Sequence, residues 1–172
     1  MKNKITLKIT ITAILTALSL ISFMLESLFP PLFIPGAKMG VSNVFILLAV
    51  FTCGYQYAFI GLLIKILLGS LFSGNFSMIM YSLPAGIISI SLEMLLIHFN
   101  KFSILSISVV GSVISLSVQN TVYCLITRTF EFFIYLPYLA LIGVLSGAII
   151  GLIVFVLMKY LPKKFFIRNL DA

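Results

Sequence analysis

The chain has 172 residues, 62% of them hydrophobic and only 9% charged, with a mean hydropathy of +1.26. A soluble domain is about 45–50% apolar and about 25% charged, and a globule of this size cannot hide so much apolar surface from water. That balance excludes a soluble enzyme and a disordered chain. It reads as one integral membrane domain over residues 1–172, all-α.

Lys and Arg number 11 against 4 Asp and Glu, for a net charge of +7. The basic residues gather at the chain ends and leave long uncharged stretches between, which suits a bilayer rather than a nucleic acid. Cys53 and Cys124 sit inside apolar stretches with no metal-ligand spacing, and read as buried free thiols.

Charge-free runs cover 9–25, 39–64, 66–92, 102–127 and 132–158, and a spanning helix needs about 20 apolar residues. Turn residues then divide the runs. The first helix is expected over 9–29, stopped by Pro30-Pro31, because proline lacks the amide donor and biases its predecessor away from helix. A cleaved signal peptide fits this segment poorly: it is long, and no small-residue cleavage site precedes the Pro-rich loop. The second helix, 41–53, is short and ends at Gly54; it crosses only in part, or tilts with a loop completing it. The third covers 57–72, before Ser73-Gly74-Asn75, and the fourth 76–99, with Pro84 and Gly86 inside it. The fifth covers 102–127 and the sixth 137–160.

With six spans both termini share one side. That side collects Lys2, Lys4, Lys8, Lys101, Lys159, Lys163, Lys164 and Arg168, whereas the other holds Lys38 and Arg128. The positive-inside rule therefore makes both termini cytoplasmic in a plasma-membrane protein. Five spans, the competing count, would split the basic termini between two sides.

Catalysis should leave a signature, and none is present. Asp171 is the single Asp and His98 the single His, with Glu26, Glu93 and Glu131 scattered. These supply no carboxylate pair, no Asp-rich magnesium cluster, no nucleophilic triad and no metal-ligand set. A Walker-type Gly-rich loop is missing too. The chain reads as neither an enzyme nor a cofactor or metal carrier.

What remains is a set of polar groups inside the spans, which are costly in lipid and face a cavity or a partner. Lys65 lies midway along the third helix. Ser108, Ser112, Ser115, Gln119 and Tyr123 recur every three or four residues on the fifth, with Asn120 beside them. Glu26, Arg128 and Glu131 fall near outer helix ends, and Lys38 and Asn43 flank the start of the second helix. Interhelical hydrogen bonding is the structural alternative for the serine stripe. Lys38 and Lys65 suit an anionic group, with Asn43, Gln119, Asn120 and Arg128 as further solute contacts. On this reading Lys65→Met leaves the membrane fold as stable as before, or more so. Glu93, in the inner half of the fourth helix, is expected to pair with Lys101 or Lys159 or to snorkel to the interface. Ala13 and Ala17, four apart on the first helix, form a small-xxx-small pair that lets another helix approach.

The run Pro35-Gly36-Ala37-Lys38-Met39-Gly40-Val41-Ser42-Asn43, then an apolar helix, a Gly break, and Lys65 ahead of Leu67-Leu68-Gly69-Ser70-Leu71-Phe72-Ser73-Gly74, resembles the Gx transporter family. That family is also labelled heptaprenyl diphosphate synthase component I, and looks related to the substrate-binding S components of energy-coupling factor (ECF) transporters. The likeness covers about residues 9–160. Lys65 stands where many members carry Arg, which keeps the charge but not bidentate geometry. The resemblance implies a six-helix S-component fold that binds a small anionic, aromatic or isoprenoid solute near its outer face. It also implies a helix-one motif, matched by Ala13 and Ala17, that docks to a T component with separate ATPases. The alternative is a non-catalytic membrane partner of a polyprenyl diphosphate synthase; prenyl synthesis itself needs Asp-rich metal sites that this chain lacks.

Overall fold

A computed structural model describes residues 2–27 and 40–161. Helix α1 spans Lys2–Ser27, α2 Asn43–Thr52, α3 Tyr55–Phe72 and α4 Ser77–His98. After them come α5 at Ile104–Thr127, a 3₁₀ segment at Phe130–Tyr135 and α6 at Leu136–Tyr160. No strand occurs among the described residues. The expected boundaries agree closely except at α1, which begins at Lys2 rather than near residue 9. Charge ends an apolar span without breaking a helix, because Lys is itself a good helix former. The 3₁₀ segment was not anticipated, since its stretch reads as a loop between spans. Residues 28–29 of the expected first helix, and the loop carrying Lys38, lie outside the described residues.

Among the described residues five helices are long and apolar enough to cross a membrane, and α2 is not. Its 10 residues rise only about 15 Å against a hydrocarbon core of about 30 Å. Almost every α2 side chain is buried, because α1, α3 and α6 all pack on it. At its end Gly54, with φ +99°, turns the chain straight into α3, a backbone conformation that L side chains rarely adopt.

Contacts along the helices fix their directions. The Cys53 thiol lies 3.6 Å from the Lys8 carbonyl, whereas Ser19 Oγ donates to the Ser42 carbonyl at 2.7 Å. So α2 descends beside a rising α1. Gly61 of α3 then packs on Thr16, and Gly69 on Phe23, so α3 runs parallel to α1. Each later helix reverses: Ser89 of α4 meets Gly111 of α5, and Gly143, Gly147 and Gly151 of α6 meet Val113, Val109 and Leu105 in that order. The start of α1 and the end of α6 consequently lie at the same end of the bundle.

Candidate functional site

Gly61, Lys65 and Gly69 recur every four residues and share one face of α3. The two glycines let α1 come close, and Lys65 between them is left only 4% exposed. Its Nζ donates to Asn43 Oδ1 at 2.6 Å and stands 5.9 Å from the centre of the Phe23 ring. A buried ammonium needs such partners: a charge-assisted hydrogen bond and an aromatic face both offset lost hydration.

Asn43 opens α2, and the turn before it sets its direction. Its backbone N–H donates to the Gly40 carbonyl at 2.8 Å. Gly40 has φ +80°, and a Cβ there would stand 3.1 Å from the Asn43 amide nitrogen, so glycine is required on two counts. Above this turn, Glu26 Oε1 accepts from the Val41 N–H at 2.7 Å. Its second oxygen is buried with no hydrogen-bond partner among the described residues.

These groups line one partly open cavity of about 70 Å³ bordered by α1 to α5. One water needs about 10–15 Å³ on the same measure, so there is room for roughly five to seven waters or one small solute. On α4 the lining runs from Met78 to Glu93, a length of about 22 Å at 1.5 Å per residue. On α5 it is Ser112, Ser115, Leu116 and Gln119, and Gln119 Nε2 donates to Ser115 Oγ at 3.4 Å.

Glu93 does not snorkel. It is 8% exposed and lines the cavity, within Coulombic reach of Lys65, whereas Lys101 and Lys159 are exposed. Gly111 makes the room, because a Cβ there would come within 2.8 Å of the Glu93 carboxyl carbon. Ser89 approaches the same carboxyl while its hydroxyl donates to the Gly111 carbonyl at 3.0 Å.

Asn43, Lys65 and Gln119 are thus brought together. Asn120 faces elsewhere: fully buried, it donates through Nδ2 to the Phe132 carbonyl at 3.2 Å and ties α5 to the 3₁₀ segment. Arg128 is exposed in a left-handed conformation just past α5, away from the lining. Ala13 and Ala17 are exposed on α1, opposite the buried Thr12, Thr16 and Ser19. Cys53 and Cys124 are buried free thiols. Among the described residues no three His, Cys, Asp or Glu gather as metal ligands.

A cavity lined by charged, hydroxyl and many apolar side chains, inside a bundle of membrane-length helices, defines a multi-pass membrane protein with an internal site of mixed polarity. The chain belongs to the heptaprenyl diphosphate synthase component I family, whose model matches residues 15–157 and so takes in every residue lining the cavity. Within that family it is a non-catalytic component. Comparison with curated proteins and with solved structures gave no match.

Proposed function

We propose that the chain is a solute-binding membrane subunit, acting in the manner of the S components of ECF transporters. The observation that carries this reading is the cavity itself: Lys65, Asn43, Glu93 and Gln119 line one space between the helices. Polar side chains that only join helices pair with one another and leave no room for a guest. The space suits a small solute. Lys38 precedes the site in sequence, and Arg128, away from the lining, is not part of this cavity.

Six crossings complete the reading, with α2 counted as the short second one, and both termini cytoplasmic. The excess of basic residues at the end shared by α1 and α6 supports that orientation. Single cysteines at Asn3, Ser73 and Asn169, without Cys53 and Cys124, test it. A label applied outside should reach position 73 alone; labelling at 169 from outside would reverse the assignment.

The exposed Ala13–Ala17 face of α1 is the proposed contact with a T component, which would recruit ATPase subunits. One purification from native membranes reads both proposals, with mass spectrometry identifying small molecules and copurifying proteins. Ala13→Leu with Ala17→Leu should strip the membrane partner and retain the solute. A partner that survives the double substitution removes the docking face, and a chain that never carries a solute removes the transport reading.

The family description supports a second reading, a membrane partner that holds a soluble polyprenyl synthase near its product. The connections at the end shared by both termini work against it. Only Cys53-Gly54 joins α2 to α3, and only 99–103 joins α4 to α5, so these turns offer little surface for a docked enzyme. Recovery of a synthase in the same purification, with no solute, would favour it.

A further inference from the structure

The cavity has charge of both signs at separate heights. Gly86 of α4 packs against Leu62 and Ile66, the residues that bracket Lys65 on α3. Glu93 lies seven residues further along α4, so its backbone is about 10 Å from the Lys65 level along the bundle. The Lys65 ammonium is directed the other way, toward Asn43 and toward Phe23, which packs beside Gly69. An ammonium pole and a carboxyl pole therefore stand at two points of one narrow slot, each on a side chain more than nine-tenths buried. Glu26 adds a second carboxyl to the lining.

A solute with only an anionic group would satisfy Lys65 while facing two carboxyls. A solute with only a cationic group would meet Lys65 as a like charge. We propose that the solute is zwitterionic, its anionic group held by Lys65 and its cationic group by Glu93. This rests on the solute-binding reading above and narrows the class of solute. The hydroxyls of Ser89, Ser112 and Ser115 line the slot and supply neutral hydrogen bonds to the body of the solute. Gly111 fixes the carboxyl pole, because any larger residue would push Glu93 along the slot.

Full-length protein purified in detergent should be melted with straight-chain ω-amino acids of four to eight carbons, and with carboxylic acids and amines of equal length. In parallel, solute released by denaturing the wild type is tagged separately at amines and carboxyls before mass spectrometry. We expect at least one ω-amino acid to raise Tm where its matched acid and amine do not, and the released solute to take both tags. Glu93→Gln should weaken the response at least tenfold in concentration. Gly111→Ala, which keeps the charge and displaces it, should also weaken it. Equal protection by the simple acids, a released solute bearing one sign or none, or an unchanged response in both variants would overturn the zwitterion. A wild type that releases no solute and responds to no compound overturns solute binding itself, a separate failure.

Discussion

Replacing Gly147 with leucine should leave little folded protein after extraction, because the seam between α5 and α6 has no room for a side chain. A Cβ at 147 would lie 2.6 Å from the Val109 Cα and 2.9 Å from the Ser108 carbonyl oxygen. Gly143 and Gly151 repeat the arrangement one turn either side, at 2.8 Å from the Val113 Cα and 3.0 Å from the Leu105 Cα. These obstacles are backbone, which cannot rotate aside as a side-chain tip would. In lipid no hydrophobic force presses helices together, so close van der Waals contact does much of the holding, and forcing the pair apart forfeits it along three turns. Overpacking costs about 1–3 kcal/mol where side chains can give, and more where they cannot. At about 2–4 °C per kcal/mol for a chain of this size, a Tm fall of roughly 6–12 °C is the least expected. Val144→Leu is the control, since Val144 is 45% exposed on the same helix. If Gly147→Leu melts like that control, the seam is looser than its backbone distances require.

That seam is legible in the sequence as a spacing of glycines. Glycines at 143, 147 and 151 carry the same four-residue spacing as Ala13 and Ala17, and glycine permits a closer approach than alanine. Spacing identifies a face that can be approached closely but not the helix that approaches it. In the structure the glycine face meets α5, whereas the alanine face is exposed. Hydropathy marked all six helices, because uninterrupted apolar length is a property of each segment alone. The part that α2 plays needed three dimensions: its short apolar run gives its length, but its burial depends on α1, α3 and α6 closing around it.

The site divides in the same way. Lys65 stood out because a lone ammonium in an apolar helix is costly wherever that helix packs. Gln119 followed from its place on the serine stripe. Glu93 was referred to nearby lysines because it was judged by its own sequence neighbourhood. Its carboxyl instead faces the same cavity as Lys65, from a different helix, through a gap that Gly111 leaves on a third. Helical periodicity fixes directions within a helix and says nothing of the rotation of one helix against another.

Finding Glu93 in the cavity reverses the expected stability of Lys65→Met. With no acidic residue facing it, a buried lysine should be a burden whose removal helps the fold. The Glu93 backbone already stands about 10 Å from the Lys65 level and the ammonium is directed away from it, so at an effective dielectric near 20 the attraction is on the order of 1 kcal/mol. Lys65→Met also strips Asn43 Oδ1 of its 2.6 Å donor, and a buried acceptor left unpaired costs about 1–3 kcal/mol. Together these predict a loss of roughly 2–4 kcal/mol, discounted only by whatever water the cavity admits to Asn43. Glu93→Gln keeps the shape and deletes the charge, so it forfeits the attraction while ending the desolvation of a carboxylate; its own effect should be small. The decisive quantity is the cycle. Once Glu93 is Gln, Lys65→Met no longer abandons a carboxylate, and its cost should fall by about 1–2 kcal/mol. Thermal melts of the wild type, both single variants and the double variant measure it, at one ionic strength and without added solute. Additivity within about 0.5 kcal/mol would mean that the two charges do not sense each other, and the lysine would then be held by Asn43 and Phe23 without help from Glu93.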